Sequence, residues 1–185
     1  MSTQTYREYH TFPIVKATKI PSSLSPGVAG AAYLQGLTAL TLVHESAGLP
    51  IKKGEWVLVH AAAGGVGLLL CQILKALGAR VIGTASTAEK LDEAKRNGAE
   101  VGINYVEEKD TMVKTIKDLT EGGEGVRVVF DGTGAGQFEN DLLVLRRKGV
   151  LVSYGNSVST LASLSIFRAA RLSCGNLKNL LIFDT

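Results

Sequence analysis

Two kinds of segment alternate along most of this 185-residue chain. Short runs of branched apolar residues predict buried strands at 56–60, 80–85, 101–105, 126–131, 149–154 and 180–183. Segments whose apolar residues recur at helical spacing lie between them, at 68–77, 87–97, 110–120 and 138–145. Strands joined through helices of about ten residues need crossover connections and therefore run parallel. The pattern predicts an α/β fold: a Rossmann-type doubly wound parallel sheet of about six strands with helices on both faces.

The N-terminal part of the chain has a weaker pattern. Residues 6–20 contain β-branched and aromatic residues and predict strand or extended chain with little core of its own. Ser25 is a predicted N-cap, and Pro26 is the first position of a helix that continues through the Ala- and Leu-rich residues 29–45, with Gly36 as a candidate break. One helix therefore precedes the alternating part of the chain.

A glycine turn between the first strand and the next helix gives the strongest functional indication. The chain reads His60-Ala-Ala-Ala-Gly-Gly-Val-Gly67 there, and Ala62, Gly64 and Gly67 hold the positions of the dinucleotide-binding fingerprint, with alanine at the first. In that arrangement exposed N–H groups and the helix dipole hold a pyrophosphate. An α/β turn without a ligand would have a similar sequence, but strand, tight turn and helix follow here in the required order. We therefore favour a dinucleotide site.

The end of the second strand indicates which dinucleotide binds. A ribose with a free 2′-hydroxyl is usually met by Asp or Glu about 20 residues past the turn, and residues 83–87 contain neither. Small hydroxyl residues there leave room for a 2′-phosphate, to which Lys90 can supply positive charge and Tyr105 a phenol. Taken singly, Lys90 fits a solvated helix lysine and Tyr105 a rim aromatic equally well. Together with the missing acid, they predict NADP(H) rather than NAD.

The ends of the fourth and fifth strands are expected at the same sheet edge, where doubly wound folds bind ligands. Gly155 permits close backbone approach and Asn156 offers an amide to the nicotinamide or ribose, although a plain Gly-Asn turn has the same sequence. Asp131 is expected at this edge too, and it fits a cap of the following helix equally well. His60, at the end of the first strand, is expected to be a packed, hydrogen-bonded residue.

Composition and charge argue against several other classes of protein. A chain with 45% hydrophobic and 20% charged residues is typical of a globular domain, and its net charge of +3 is spread without a basic run. Cys71 and Cys174 lack the spacing of a zinc site or a disulfide framework, so we expect a reducing, cytoplasmic location and no metal. The polar N-terminus does not fit a signal peptide, and we expect no apolar stretch near the roughly 18 residues that span a membrane.

The motifs taken together resemble one family. The stretches 60–67, 83–90, 103–105, 128–131 and 152–156 resemble the medium-chain dehydrogenase/reductase superfamily, and most of all its ζ-crystallin-type NADPH:quinone oxidoreductases. The likeness extends from about Pro21 to Leu181. It implies a zinc-free reductase that uses NADPH to reduce a small-molecule quinone. In such chemistry the cofactor carries the reaction, so the protein need not supply a nucleophile.

The resemblance also implies roles for individual residues. Gly65 and Val66 would line the pyrophosphate, the set of Ser86, Lys90 and Tyr105 would meet the 2′-phosphate, and residues 154–157 would lie along the nicotinamide half. The predicted cofactor-binding residues are Thr38, Gly64, Gly65, Val66, Ser86, Lys90, Tyr105, Gly132, Tyr154, Gly155, Asn156 and Ser157. No catalytic residue and no metal ligand is predicted in this chain.

Members of this family carry a further, N-terminal catalytic domain. We expect residues 1–24 to be its remnant and linker, and residues 25–185 to form an excised NADPH-binding domain with little or no turnover alone. The apolar residues 180–183 predict an edge strand through which two copies pair as a homodimer. Two alternatives stay open: an enone or alkenal reductase, whose cofactor domain would look similar, and a nucleotide- or RNA-binding relative, against which the scattered charge argues.

Overall fold

The computed structural model describes residues 8–47, 50–134, 136–155 and 179–182. Its strands are β1 (Trp56–Val59), β2 (Arg80–Ala85), β3 (Val101–Asn104), β4 (Val126–Asp131), β5 (Leu145–Ser153) and β6 (Asn179–Ile182). Its helices are α1 (Pro26–Thr41), α2 (Gly65–Ala76), α3 (Ala88–Arg96), α4 (Met112–Leu119) and α5 (Phe138–Val144). Shorter elements are 3₁₀ turns at Ile14–Lys16 and Glu121–Gly123 and a π-helical turn at Leu42–Ser46.

The six strands form one parallel sheet in the order β3-β2-β1-β4-β5-β6. This is the strand order of the Rossmann fold, and the predicted fold class is confirmed. The chain builds outward from β1 in one direction and then, from β4, in the other. Ligands of such sheets bind at the carboxyl ends of the strands beside this reversal, which here lies between β1 and β4.

Both faces of the sheet are buried at β1, as a continuous apolar strand requires. Val57 and Val59 share one core with residues of α2 such as Leu70, while Leu58 shares the opposite core with residues such as Ile116 of α4. Because alternate residues of a strand point to opposite faces, a strand covered on both sides needs an apolar residue at every position. Every residue of β1 is buried, and β1 lies in the interior of the sheet.

Local signals begin and end two helices where the sequence predicts. The Oγ of Ser25 accepts a hydrogen bond from the N–H of Val28, and Pro26 is the first residue of α1. Gly98, after α3, has a left-handed φ of +126°, and a Cβ there would lie 2.6 Å from the carbonyl oxygen of Cys71. Both features confirm the sequence prediction.

Two boundaries differ from the prediction, and a third prediction is confirmed in part. Of strand or extended chain, residues 8–20 contain no strand; Pro13 and Ala17 are extended, and the turn Ile14–Lys16 between them is the one regular element of this segment. Gly36 does not break α1, which continues into the π-helical turn. Strand β5 begins four residues earlier than predicted, since Leu145 pairs with Val126 ahead of a shift in register.

The apolar helix at the N-terminal side is longer than expected. Pro26–Glu45 runs for 20 residues at a mean hydropathy of 1.2 and is long and apolar enough, by length and composition, to cross a membrane. The expectation of no apolar stretch near that length is therefore wrong. Core helices have the same composition, and α1 packs against α2. Length and composition do not distinguish a membrane-spanning helix from a helix that packs within a globular domain, so they do not assign α1 to a membrane.

Candidate functional site

Backbone contacts hold the turn between β1 and α2 in a tight loop. Ala61 has a left-handed φ of +48°, and its carbonyl oxygen accepts a hydrogen bond from the N–H of Gly64 at 2.8 Å. The N–H of Ala62 donates to the carbonyl oxygen of Thr84 in β2 at 3.0 Å, which attaches the turn to the neighbouring strand. A Cβ on Gly67 would lie 2.3 Å from the Ala61 oxygen. The helix approaches the turn this closely because residue 67 has no side chain.

Helix α2 presents an uncapped N-terminus at this turn. Its N-cap residue, Gly64, has no side chain that could accept a hydrogen bond, and the first helical turn carries no acidic residue. The first N–H groups of any α-helix lack partners within the helix, and the helix dipole places partial positive charge there. Gly65 and Val66, the first residues of α2, are therefore well placed to offer N–H groups to an anion.

A pocket of about 310 Å³ opens beside this helix end. Its lining residues come from the turn after β1, from α3 and from the ends of β2, β3 and β4: Ala61, Ala63, Gly64, Ala85, Ser86, Lys90, Tyr105 and Thr133. Four predicted cofactor-binding residues, Gly64, Ser86, Lys90 and Tyr105, are among them. They meet because the carboxyl ends of parallel strands share one edge of the sheet.

The charge on this pocket is positive. Lys90 is the one charged side chain among the lining residues, which include no carboxylate. Its Nζ lies 3.5 Å from the Oγ of Ser86. Thr87 caps α3 by accepting a hydrogen bond from the Lys90 N–H at 3.4 Å, which places the lysine in the first turn of α3, beside the end of β2. This wall of the pocket suits a phosphate group.

The turn after β4 adds a residue that the sequence analysis did not identify, Thr133. The buried carboxylate of Asp131 accepts hydrogen bonds from the Thr133 N–H at 2.7 Å and the Thr133 hydroxyl at 2.6 Å, and from the N–H of Gly134. Asp131 therefore folds this turn, and it does not cap α5, whose N-cap residue Gln137 has no side-chain cap bond. The sequence Asp-Gly-Thr-Gly at the end of a strand could have indicated Thr133, because an Asp side chain in a turn often bonds the backbone two residues further on.

Gly132, Tyr154 and Gly155 join the ends of β4 and β5. A Cβ on Gly132 would lie 2.8 Å from the Tyr154 ring, and a Cβ on Gly155 would lie 2.8 Å from the Gly132 carbonyl oxygen. The Tyr154 N–H donates to the carbonyl oxygen of Asp131 at 2.9 Å. Burial raises the pKa of the Tyr154 phenol, and the negative charge of Asp131 adds to the shift. The phenol therefore stays protonated at neutral pH.

Some predicted residues do not line this pocket. Thr38 lies on α1, and its hydroxyl donates to the carbonyl oxygen of Leu34 at 2.8 Å. The predicted residues at 156 and 157 lie outside the described part of the chain. The carboxamide of Gln35, one turn before Thr38, lies against Gly65, where its atoms would be 2.4–2.6 Å from a Cβ. No sequence motif marked Gln35, because this contact depends on how α1 crosses α2.

A buried polar cluster lies beneath the turn, on the sheet face that α4 and α5 cover. His60 is 1% exposed; its Nδ1 lies 2.9 Å from the Oγ1 of Thr84, and its Nε2 lies 2.7 Å from the Oδ1 of Asp141. Burial opposes a charge on His60, but the Asp141 carboxylate outweighs it and raises the pKa of the imidazole, while burial raises the pKa of Asp141. The expectation of a packed, hydrogen-bonded His60 is confirmed.

The described residues offer little to a metal ion. Within them no group of three or more His, Cys, Asp or Glu is placed to bind one. Cys71 is buried, and burial raises the pKa of its thiol to about 12, so it is not a thiolate at neutral pH. Cys174 lies outside the described residues. A zinc-free chain therefore stays a prediction.

A second cavity, of about 660 Å³, lies along α1. Its walls include the apolar side chains of Tyr33, Leu37 and Leu40, which are 55%, 51% and 44% exposed, and the segment 18–21. None of the predicted cofactor-binding residues lines it. The smaller pocket, at the carboxyl edge of the sheet, is therefore the candidate cofactor site.

Comparison with known proteins identifies the family of the chain. The family described as zinc-binding dehydrogenase matches residues 65–179. Quinone oxidoreductase 1 of Escherichia coli (strain K12) is 42% identical over 161 residues, or 87% of this chain and 48% of that protein. The 2-haloacrylate reductase of a Burkholderia species is 36% identical over 155 residues, or 82% of this chain and 45% of that protein.

A solved structure extends the comparison to three dimensions. The crystal structure of Escherichia coli quinone oxidoreductase complexed with NADPH matches with a TM-score of 0.82 at 38% identity, over 91% of this chain and 49% of that one. The chain thus spans about half the length of the curated relatives it matches. The family match covers more than half of the chain and the relatives agree with it. The chain therefore belongs to the zinc-binding dehydrogenase family of the medium-chain dehydrogenase/reductase superfamily, as the cofactor-binding domain of the quinone oxidoreductases.

Proposed function

We propose that this chain binds NADP(H) as the cofactor domain of a quinone oxidoreductase. The observation that carries the proposal is the pocket that sets the N-terminus of α2 beside Ser86, Lys90 and Tyr105, with no carboxylate among its lining residues. A pyrophosphate needs N–H donors, and a 2′-phosphate needs positive charge without a repelling acid. The relative of known structure that holds NADPH supports the same assignment.

The pyrophosphate half of the site is proposed at the first turn of α2. The N–H groups of Gly65 and Val66 face the anion there, and the missing side chain of Gly64 leaves the approach open. Gly67 keeps the turn close to the helix, and the carboxamide of Gln35 beside Gly65 adds a side-chain donor at this end. These groups contact a part of the cofactor that NADPH and NADH share.

The 2′-phosphate half is proposed at the ends of β2 and β3. Lys90 supplies a charge-assisted hydrogen bond, the Ser86 hydroxyl a second donor 3.5 Å from the lysine Nζ, and the Tyr105 phenol a third. NADH has no phosphate at this position. These three side chains therefore distinguish the two cofactors.

The nicotinamide half is proposed along the crevice between β1 and β4. The family resemblance implies that residues 154–157 lie along this half, with Thr38 nearby, and Gly132 is a predicted cofactor-binding residue at the same sheet edge. The close packing of the Tyr154 ring and of Gly155 on Gly132 supports it, since it brings the ends of β4 and β5 together next to Thr133, which lines the pocket. NADPH supplies the hydride in such reactions, and the residues of this chain bind and orient the cofactor.

Residues 25–185 are proposed to form this domain, and residues 1–24 to belong with a second domain that completes a quinone site. The relatives are about twice as long as the matched region, which supports a second domain, and the proposed boundary after residue 24 lies just before α1 (Pro26–Thr41). Little or no turnover is expected from the 185-residue chain alone, because the second domain would supply one wall of the substrate cleft. A cytoplasmic location stays a prediction.

A homodimer is proposed through β6. This strand lies at the edge of the sheet, and on its outer side no described strand pairs with it. Unpaired backbone N–H and C=O groups at a sheet edge favour pairing with another strand, here the same strand of a second copy.

A second candidate function is the cofactor domain of a reductase of activated carbon–carbon double bonds. The 36% identity to a 2-haloacrylate reductase favours it. The NADPH site would be the same, since the substrate contacts lie largely outside this chain. Activity of the longer protein on quinones and on enones distinguishes the two candidates.

Replacement of Lys90 by alanine tests the proposed 2′-phosphate contact. We expect NADPH affinity to fall roughly ten-fold, the change expected for one lost charge-assisted hydrogen bond, while NADH affinity stays constant. Fluorescence titration of the 185-residue chain with each cofactor measures both. The matched control is Lys114→Ala, which removes the same charge from α4, away from the pocket. Equal loss for both cofactors would exclude this role for Lys90, and a wild-type chain that binds neither cofactor would overturn the proposed function.

A further inference from the structure

The cluster of His60, Thr84 and Asp141 lies directly beneath the candidate site and has no part in the contacts proposed so far. We propose that His60 is a positioning residue, which sets the distance between the pyrophosphate turn and the 2′-phosphate wall and thereby the preference for NADPH over NADH. The inference rests on the proposed function, because it concerns how the same site chooses its cofactor.

The His60 ring bridges the two strand ends that build the two halves of the site. His60 follows β1 and directly precedes the turn, while Thr84 lies in β2 two residues before Ser86. The Nδ1 of His60 and the Oγ1 of Thr84 are 2.9 Å apart. The carbonyl oxygen of Thr84 also accepts a hydrogen bond from the Ala62 N–H at 3.0 Å. Thr84 is thus attached to the turn by its backbone and to His60 by its side chain.

Asp141 fixes the orientation of this bridge. Its Oδ1 accepts a hydrogen bond from the His60 Nε2 at 2.7 Å, and this contact sets the rotation of the imidazole so that Nδ1 faces Thr84. Asp141 is 0% exposed, and its Oδ2 has no hydrogen-bond partner among the described residues. A buried carboxylate with an unsatisfied oxygen is unfavourable, and apolar side chains of similar volume often replace such pairs without loss of stability. Stability alone therefore does not account for the cluster.

The two halves of the site depend differently on the bridge. The pyrophosphate contacts lie on the turn and α2, and NADPH and NADH share them. The 2′-phosphate contacts of Ser86 and Lys90 lie at the end of β2 and on α3, and NADPH alone uses them. Without the bond between His60 and Thr84, the backbone hydrogen bond from Ala62 is the remaining described link between Thr84 and the turn, and we expect the end of β2 to shift slightly relative to the turn. NADPH must fit both halves at once, so it loses affinity, whereas NADH fits one half and loses little.

Thr84→Val tests the inference, because valine keeps the shape of threonine and removes its hydroxyl. We expect NADPH to bind about five-fold more weakly, the change that follows if the free energy of this one buried hydrogen bond is what holds the two halves at the distance NADPH needs, with NADH changed less than about two-fold. The matched control is Thr120→Val. Thr120 is also buried, its hydroxyl donates to the Lys117 carbonyl oxygen and accepts from the Gly125 N–H, and it does not line the pocket. This control should lose stability and keep both affinities.

Fluorescence titrations of the 185-residue chain with NADPH and NADH supply the readout. Thr84→Ser retains the hydroxyl and should restore the wild-type ratio of the two affinities. Provided that the wild-type chain binds NADPH, the proposal is overturned if Thr84→Val lowers the affinities for NADPH and NADH equally or changes neither affinity. Should Thr84→Val not fold, Thr84→Ala, which also lacks the hydroxyl, serves instead, and an unchanged affinity ratio in that variant overturns the proposal. A wild-type chain that binds neither cofactor would overturn the proposed function and this inference together.

Discussion

Replacement of Gly67 by alanine tests whether the close approach of α2 to its preceding turn builds the site. The new Cβ would lie 2.3 Å from the Ala61 carbonyl oxygen and 2.9 Å from backbone atoms of Ala62, whereas ordinary contact begins at 3.4 Å. These atoms belong to the backbone and cannot rotate away, so turn and helix must separate by about 1 Å. Such overpacking costs about 1–3 kcal/mol, and the higher helix propensity of alanine offsets up to about 1 kcal/mol. We expect the free energy of unfolding to fall by about 1–2 kcal/mol.

The displacement of α2 from the turn should weaken the binding of both NADPH and NADH. The N–H groups of Gly65 and Val66 move with the helix, and NADPH and NADH share the pyrophosphate they are proposed to bind, so both affinities should fall at least about ten-fold. Urea unfolding and fluorescence titration measure the two effects.

The matched control for this change is Gly36→Ala, in the interior of α1. A Cβ on Gly36 has nothing within 4 Å. That substitution should raise stability by about 0.5–1 kcal/mol, because alanine favours the helix, and it should leave cofactor affinity unchanged. A Gly67→Ala chain with wild-type stability and wild-type affinity for both cofactors would refute the reasoning.

The buried pair and the sheet edge make two further predictions. The pKa values of His60 and Asp141 are both raised in the folded chain, so the folded state binds more protons than the unfolded state. The contribution of His60 to stability is complete below its unfolded pKa of about 6.5 and is lost as the pH rises through its folded pKa. Urea unfolding at about pH 6 and pH 8 should show this decline in the wild type and a smaller one in His60→Gln; equal declines would contradict it. Light scattering should find the mass of a dimer, which the proposed pairing of β6 with a second copy requires, and a monomer at all concentrations would contradict that pairing.

Local patterns were sufficient to predict most of the fold. Strand β1 is covered on both faces, and burial on both faces demands the unbroken apolar run that its sequence shows. Ser25 and Gly98 mark helix ends because capping and left-handed turns depend on single residue types. The start of β5 was missed, since its first pairing, between Leu145 and Val126, depends on a register shift in the partner strand.

Part of the candidate site could also be predicted. Ser86, Lys90 and Tyr105 are separated in sequence but were expected together, because parallel strands end at one edge of a sheet. Thr133 and Gln35 were not predicted. The position of Thr133 depends on side-chain hydrogen bonds to Asp131, and that of Gln35 on the crossing of α1 over α2. Neither arrangement leaves a periodic trace in the chain.

By itself, the sequence determined the α/β class, the order of strands and helices, and a glycine turn whose acid-free neighbour favours NADP(H). Each of these follows from residue type, spacing or periodicity. The tertiary structure alone decided that His60 meets Thr84 and Asp141, which lie 24 and 81 residues further along the chain. Such contacts depend on the register of neighbouring strands and on which helix covers them. A hydrogen bond across a sheet is therefore visible only after the strands have been paired.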